Sequence, residues 1–501
     1  MSVTVDPFNS IYNIIIVVTL ITLFARRFNF SQTLALIIAG IYSTLFTNFQ
    51  LPHIESEIFI TILLPPILFQ ETLHLNVDNL IDDADIIMNY AIIGTIVMIV
   101  SISLFSYLAL NFGVIESILL GIIIAPTDPV SVISTFQKLG VIKRFQLLLA
   151  GETLFNDGVA IVMYSILLNI LTVGSMSILD ISVLTITTIL GGILLGILNG
   201  YLAHTIFCWT DDKFVKVLIS FIIAFGGFKL AEELGTSGVL ATVFSGLIIN
   251  YRSKKYGGVD IPSLDMLDAL WEFVGFLAQS FAFIFIGMNI ETAILISYAV
   301  PIFAVFVFIL LARYLMVVFV ARIIYNIRKK VIPENWVLGM TWSGLRGGIS
   351  VVLALGIPRL GLPHGEEILT LTFGVVLLST IVQGITMASI VKKLNLLTGT
   401  NNVSNTKDTI NGTKYRSEKY EKGMFLSERM LFSFPEYLIY ETRVGGWFSD
   451  QILKILSWMN RILINEVPKT KDISERKIIK KITNIFTKLL NLIIDFREKN
   501  K

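Results

Sequence analysis

Long apolar stretches separated by short polar connections fill the first 393 residues of the chain. Most of them approach the length of about 17–25 residues with which an α-helix crosses a bilayer. We count thirteen such stretches, and they predict thirteen transmembrane helices in an all-α polytopic membrane protein. Their approximate ranges are 11–25, 32–47, 57–73, 86–111, 115–138, 145–170, 179–207, 214–231, 237–251, 269–288, 295–321, 336–357 and 367–391.

The composition of the chain agrees with a membrane location. Of the 501 residues, 54% are hydrophobic and 15% are charged, whereas about 25% are charged in an ordinary soluble domain. No soluble fold of this length could bury so much apolar surface, which excludes a soluble enzyme, a disordered protein and a nucleic-acid-binding protein. A single cysteine excludes an internal disulfide, and the four histidines show no metal-ligand spacing. We therefore expect membrane lipids as partners and no cofactor.

The basic residues of the connections predict how the chain is oriented. With the N-terminus outside, the inside connections hold 16 Lys and Arg and the outside connections hold two. Cytoplasmic connections collect such residues, so we expect a cell-membrane protein with a cytoplasmic C-terminus. The connection at residues 74–85 disagrees, since it should be cytoplasmic but has several Asp and no Lys or Arg. The first stretch is not a cleaved signal, because Arg26 and Arg27 follow it instead of preceding it.

The net charge of +2 is an average over two different regions. Residues 1–393 hold 20 Lys and Arg against 25 Asp and Glu, whereas residues 394–501 hold 19 against 12. We divide the chain into a transmembrane domain (1–393), a polar linker (394–414) and a basic helical tail (415–501). Apolar residues recur at helical spacing in 448–465 and 473–496. Such basic amphipathic helices either bind the inner leaflet or pack as a small domain that binds a regulator.

Five ionisable residues lie deep inside the predicted spans, where a charge costs at least about 2.5–3.5 kcal/mol and therefore indicates function. They are Asp128, Glu152, Asp157, Arg313 and Arg346. Three further acids lie near span ends, where we expect them to reach water or headgroups: Glu71, Glu232 and Glu233. Gly192, Gly196 and Gly200 recur at every fourth position, a spacing that we interpret as close helix packing.

Two segments predict broken helices at the depth of the bilayer. Pro126 and Pro129 flank Asp128 and remove two backbone donors, so a regular helix cannot continue there. Broken backbone in a membrane lies against protein or a water-filled cavity, where freed carbonyls can coordinate a cation. The alternative is a proline kink in which Asp128 caps the next half-helix, and both roles can coexist. A second break is predicted around Arg346, where three glycines in five residues weaken the helix.

The sixth stretch combines the groups that a cation site requires. Thr153 and Asp157 are four residues apart and share one helix face, and Glu152 and Asn156 share the neighbouring face. A hydroxyl, a carboxylate and carbonyls near Thr127 would form an all-oxygen site, which hard cations prefer. A carboxylate that binds a cation can instead bind a proton, so the two ions compete. The alternative is that these acids are neutralised structural partners.

The balance of deep charges predicts a stoichiometry. Three acids and two arginines leave one carboxylate without a fixed partner, if all five residues share one cavity. One carboxylate carries one proton or one monovalent cation. This count predicts one-for-one exchange that moves no net charge.

At these residues the chain resembles monovalent cation:proton antiporters of the NhaP/NHE type, in the electroneutral class. The resemblance covers about residues 10–393 and rests on six motifs in family order. They are Leu64-Pro65-Pro66-Ile67-Leu68-Phe69-Gln70-Glu71, Thr127-Asp128-Pro129-Val130, Gly151-Glu152-Thr153-Leu154-Phe155-Asn156-Asp157, Ser237-Gly238-Val239-Leu240-Ala241, Phe285-Ile286-Gly287-Met288 and Gly344-Leu345-Arg346-Gly347-Gly348. The resemblance implies two inverted six-helix repeats with two crossing broken helices, a homodimer, and a core that moves as an elevator.

The resemblance also implies a role for each residue of the site. Asp157 would alternate between proton and cation, and Thr153, Asp128 and the Thr127 carbonyl would help to ligate the ion. Further roles implied by the family are a pair between Glu152 and Arg346, an Asn-Asp signature of electroneutral exchange at Asn156, and an arginine at Arg313 where electrogenic relatives often carry lysine.

This sequence departs from the family at two motif positions. Thr153 stands where prokaryotic members often have serine, and Gln70 separates Phe69 from Glu71, where the family usually reads Phe-Glu. The sequence predicts exchange of Na⁺ or Li⁺ for H⁺ and no enzymatic activity. K⁺/H⁺ antiport remains open, because the same oxygen ligands serve both ions. An organic-anion symporter would need excess basic residues in the cavity, and a channel or sensor would not need a titrating carboxylate.

Overall fold

The computed structural model describes residues 7–27, 32–46, 56–128, 130–173, 177–256, 259–288 and 292–397. Within these ranges the secondary structure is helical, apart from one isolated bridge between Val141 and Leu397. The predicted all-α class is therefore confirmed for the described part of the chain. The predicted tail at 415–501 and most of the linker lie outside it.

The first half of the chain forms helices that follow the predicted stretches closely. Their bounds are α1 Pro7–Arg27, α2 Gln32–Phe46, α3 Ser56–His74, α4 Val77–Asp82, α5 Ala84–Met88, α6 Thr95–Phe105, α7 Val114–Ile124, α8 Val130–Leu139, α9 Lys143–Val173 and α10 Ile178–Phe207. A π-helical segment at 89–94 joins α5 to α6, and a second one at 106–110 extends α6, so that one continuous rod runs from Ala84 to Leu110. The predicted separation of the stretches 86–111 and 115–138 is present, because Asn111 adopts a left-handed conformation (φ 60°) and ends the rod.

The second half continues the same pattern. Its helices are α11 Lys213–Phe221, α12 Gly227–Glu233, α13 Gly238–Tyr256, α14 Ile261–Met288, α15 Thr292–Ser297, α16 Ala299–Arg328, α17 Glu334–Trp342, α18 Gly348–Leu355, α19 Gly365–Ser379 and α20 Ile385–Lys393. Short π-helical segments join α11 to α12 and α19 to α20. Seven rods in the described ranges are long and apolar enough to cross a membrane by themselves. Two predicted stretches differ clearly in their bounds, since α14 begins eight residues before the expected position 269 and α16 ends seven residues after the expected position 321.

The helices pack in two groups, and both broken helices belong to the second of them. We call α1–α3 with α10–α14 the α14 group, and α5–α9 with α16–α20 the α9 group. The glycines at every fourth position of α10 hold the α14 group together, as the sequence predicted. A Cβ at Gly196 would lie 2.6 Å from the carbonyl oxygen of Ala241, so α10 and α13 touch through their backbones. The α3, α13 and α14 helices of one group face α9 and α18 of the other.

The acidic connection at 74–85 finds its basic partners in other connections. Asp83 accepts two hydrogen bonds from Arg144, at 2.7 and 2.6 Å, and Asp85 pairs with Lys330 at 3.0 Å. Both basic residues belong to connections that the sequence predicts to be cytoplasmic. The acidic connection therefore lies on the same side as its predicted cytoplasmic neighbours, and its lack of Lys and Arg no longer conflicts with the topology.

Candidate functional site

The two predicted breaks are present in the structure. The α7 helix ends at Ile124 and α8 begins at Val130, while α17 ends at Trp342 and α18 begins at Gly348. The breaks lie against each other, because the amide of Asp128 donates to the carbonyl of Leu345 at 2.8 Å. Prolines in one segment and glycines in the other therefore interrupt two helices at the same place.

The second break requires a glycine at position 347, where the two breaks approach each other closely. A Cβ at this position would lie 2.1 Å from the Cβ of Asp128. Since real side chains do not approach so closely, any larger residue would push the two breaks apart. The glycine here serves close approach between the two segments.

The guanidinium of Arg346 lies in the first break and places a positive charge there. Its Nη1 donates to the carbonyl oxygens of Ala125 and Pro126, at 2.6 and 3.0 Å. These carbonyls lost their helical partners when the prolines interrupted the helix, and the buried guanidinium replaces those partners. The expected pair between Glu152 and Arg346 is therefore not what the structure shows.

Glu152 pairs instead with Arg313 of α16. The Nη1 of Arg313 donates to Glu152 Oε1 at 2.5 Å, and the two side chains are 3% and 1% exposed. The physical reason is that Arg346 is held by carbonyls of the break, whereas Arg313 reaches α9 from the neighbouring helix. Each buried arginine thus has its own set of acceptors.

The α9 helix brings the remaining predicted residues to the first break. Asn156 donates its amide to Thr127 Oγ1 at 2.9 Å, and the hydroxyls of Thr127 and Thr153 lie 3.3 Å apart. All three side chains are buried. The predicted helix face of Thr153 and Asp157 therefore does meet the segment around Thr127.

A small cavity at this junction is bounded by the residues that the sequence assigned to ion binding. Its volume is about 20 Å³, which is room for one water molecule or one ion of similar size. Asp157 is 4% exposed, and its Oδ1 has no hydrogen-bond partner in the described part of the protein. Such a buried, unpaired acceptor requires an explanation, and a proton or a cation supplies one. The lining residues are Ile67, Glu71, Pro126, Thr127, Asp128, Thr153, Asp157, Gln279, Ala282, Phe283, Gly347, Gly348, Ile349 and Ser350.

Three polar residues of the cavity were missed or undervalued in the sequence. Glu71 was expected in solvent near the end of its span, but it lines the cavity. Gln279 and Ser350 line it as well, and Ser350 Oγ is buried without a partner in the described ranges. The signal in the sequence that could have identified Glu71 was the motif from Phe69 to Glu71, in which Gln70 stands between the two residues that the family usually joins.

The cavity also marks the boundary between the two helix groups. Glu71 and Gln279 come from α3 and α14, whereas Asp128, Asp157 and Ser350 come from the α9 group.

Comparison with known proteins agrees with this architecture. The chain is 33% identical over 373 residues to the Na⁺/H⁺ antiporter ApNhaP of Aphanothece halophytica, a match covering 73% of this chain and 70% of the relative. It is 30% identical to the Na⁺/H⁺ antiporter NhaH of Halobacillus aidingensis, covering 78% and 98%. The solved structure of the sodium proton antiporter MjNhaP1 from Methanocaldococcus jannaschii at pH 8 shares the fold, with a TM-score of 0.66, 22% identity, and coverage of 77% and 99%.

The family model described as "Sodium/hydrogen exchanger, transmembrane" matches residues 14–393. This range includes both breaks, the cavity and all the helices that surround it. The NhaP-type resemblance of the motifs is thereby confirmed, and the chain belongs to the sodium/hydrogen exchanger family.

Proposed function

We propose that this protein is a secondary-active antiporter that exchanges Na⁺ or Li⁺ for H⁺. The observation that carries the proposal is the unpaired Oδ1 of Asp157, which is buried beside a cavity of about 20 Å³ between two broken helices. The names of the two relatives described above, both Na⁺/H⁺ antiporters, favour sodium as the cation.

Asp157 is the proposed carrier. A buried carboxylate holds either a proton or a cation, and binding of one ion expels the other. Thr153, Asp128 and the Thr127 carbonyl would complete an oxygen shell for the cation, which is the ligand set that hard cations prefer. Asn156 donates its amide to Thr127 and so positions the hydroxyl beside Thr153.

The two arginines have separate supporting roles in this mechanism. Arg313 of α16 neutralises Glu152 of α9. Asp157, on the same helix as Glu152, then remains available to bind a proton or a cation. Arg346 holds the carbonyls of the first break in place. Both charges stabilise the site without taking part in ion exchange.

The electroneutral one-for-one stoichiometry needs a further assumption, since Glu71 adds a fourth acid to the count. Three carboxylates line the small cavity, those of Glu71, Asp128 and Asp157, and they repel one another when all are charged. We therefore propose that Glu71 keeps its proton while Asp157 exchanges proton for cation. This assignment restores the balance of one exchanging charge.

The position of the cavity between the two helix groups supports alternating access by an elevator movement of the α9 group. Thirteen transmembrane helices in two inverted repeats, a homodimer, an outside N-terminus and a cytoplasmic C-terminus complete the proposal. These features follow from the family resemblance and the distribution of basic residues. The tail at 415–501 would bind the inner leaflet or a regulator.

The proposal is tested by measuring the proton gradient across reconstituted vesicles with a pH-sensitive dye. Addition of Na⁺ or Li⁺ should dissipate a preformed proton gradient, and K⁺ should do so much less. If K⁺ alone dissipated the gradient, the protein would be a K⁺/H⁺ antiporter instead. Ionic currents without proton movement would indicate a channel. Insensitivity of the rate to an imposed membrane potential would support one-for-one exchange.

A further inference from the structure

The hydroxyl of Ser350 is buried at the proposed ion site and has no role in the exchange cycle described above. Ser350 lies in the first turn of α18 and is 1% exposed. It lines the same cavity as Asp157, and its Oγ has no hydrogen-bond partner in the described ranges. Because a buried hydroxyl without a partner costs free energy, this oxygen requires an explanation.

The break before α18 accounts for the missing partner of Ser350. A serine inside a helix commonly donates its hydroxyl to the carbonyl four residues earlier, as Ser106 does to Ile102 at 2.8 Å. The residue four positions before Ser350 is Arg346, which lies in the non-helical segment between α17 and α18. The interruption of the helix therefore removes the usual acceptor and leaves the hydroxyl available to the cavity.

The other hydroxyls of the cavity already have protein partners. Thr127 Oγ1 receives a hydrogen bond from Asn156 at 2.9 Å and lies 3.3 Å from the hydroxyl of Thr153. Of the three hydroxyl-bearing residues that line the cavity, Ser350 alone has no partner in the described part of the chain. Its Oγ and the Oδ1 of Asp157 are thus two unpartnered oxygens at one small space.

We propose that Ser350 is a further ligand of the transported cation and that it favours Na⁺ over the smaller Li⁺. A hydroxyl oxygen offers lone pairs, and oxygen is the ligand that hard cations prefer. A cavity of about 20 Å³ has room for an ion of the size of water, so a side chain that lines it can reach that ion. Selectivity between hard cations depends on cavity size and on the number of ligands, and the larger ion uses more of them. The inference rests on the proposed function, which supplies the cation.

Proton release from the purified protein measures cation binding without transport. In weakly buffered solution, the Na⁺ concentration for half-maximal release should rise about 5–20-fold in Ser350→Ala, because one oxygen ligand is lost. The amplitude should stay that of the wild type, since Asp157 still carries the exchanging proton. The Li⁺ concentration for half-maximal release should rise less, so that the preference for Li⁺ over Na⁺ increases about three-fold.

Ser350→Cys separates the loss of a ligand from the loss of packing. The thiol occupies the position of the hydroxyl, but its soft sulfur is a poor ligand for Na⁺. The half-maximal Na⁺ concentration should therefore rise as in Ser350→Ala, while the melting temperature in detergent stays near that of the wild type. Equal shifts for Na⁺ and Li⁺ in both variants would give Ser350 a structural role only and would overturn the proposal.

Ser117→Ala is the matched control, because Ser117 is 2% exposed and its Oγ also lacks a partner in the described ranges. Ser117 lies near the start of α7 and does not line the cavity, so its half-maximal Na⁺ concentration should not change. An equal rise in this control would overturn the proposal. So would an unaltered value in Ser350→Ala, which is the result expected of a hydroxyl that only holds a water molecule. Failure of the proposed function would look different, since the wild-type protein would then release no proton on addition of Na⁺.

Discussion

Glu152 and Asp157 are two buried acids on one helix, five residues apart, with opposite surroundings. Each acid has one oxygen without a donor in the described ranges. Glu152 receives a hydrogen bond of 2.5 Å from Arg313 on its other oxygen, whereas Asp157 has no ion pair within those ranges and lines a cavity. Their exposed fractions are 1% and 4%. Burial is therefore not what separates them. A fixed cationic partner makes one acid structural, and its absence leaves the other available to ions.

The largest expected effect comes from Asp157→Asn. The amide is nearly isosteric but carries neither the charge nor a titrating proton, so exchange in vesicles should fall by at least 100-fold. The protein should still insert and elute as a single species in detergent. Exchange at the wild-type rate in this variant would remove Asp157 from the mechanism.

Glu152→Gln should affect stability more than ion specificity. It leaves Arg313 buried without its counter-charge, which costs about 3–5 kcal/mol of unfolding free energy. The melting temperature in detergent should fall clearly. The double variant Glu152→Gln with Arg313→Gln should recover much of the loss, because no uncompensated charge remains. A double variant as unstable as the single one would show that the pair is not the cause.

Glu71→Gln should have an intermediate effect and distinguishes the role of Glu71 from that of Asp157, which lines the same cavity. Glutamine mimics a carboxyl that keeps its proton, so exchange should continue within about ten-fold of the wild-type rate, with a changed apparent KM for Na⁺. The rate should remain insensitive to membrane potential. Loss of exchange as complete as in Asp157→Asn would mean that Glu71 itself exchanges ions.

The smallest effect is expected at Asp260, a paired but exposed acid just before α14. Hydrogen bonds from Lys216 and Ser263 lower the pKa of this carboxyl from 3.8 to about 2. The stability that these bonds contribute is fully present above the ordinary pKa of 3.8 and is lost as the pH falls through about 2. The difference in melting temperature between the wild type and Asp260→Asn should therefore be constant from pH 7 to about 5 and shrink below it. A difference that persists at pH 2 would contradict this assignment.

The sequence predicts the broken helices and the convergence of Thr127, Thr153 and Asp157 because these depend on local chemistry. Prolines and clustered glycines interrupt a helix wherever it packs, and a four-residue spacing places two side chains on one face in any helix. The apolar stretches likewise match the helices, because the bilayer demands a fixed length.

Tertiary packing determines the features of the site that the sequence did not predict. The partner of Glu152 depends on which arginine reaches α9, and carbonyls of the first break engage Arg346. Glu71 lies near the end of its stretch, yet it lines the cavity, because α3 packs against α14 and α18. The early start of α14 was hidden because its first eight residues include two acids and so lack the apolar character that marks a span.

Proton release on cation binding is the most direct test of the central claim that Asp157 trades a proton for a cation. Addition of Na⁺ to purified protein in weakly buffered solution should release about one proton per protomer from the wild type and from Asp260→Asn. Asp157→Asn should release none. Equal release from Asp157→Asn and the wild type would contradict the account, because the exchanging proton would then reside on another group.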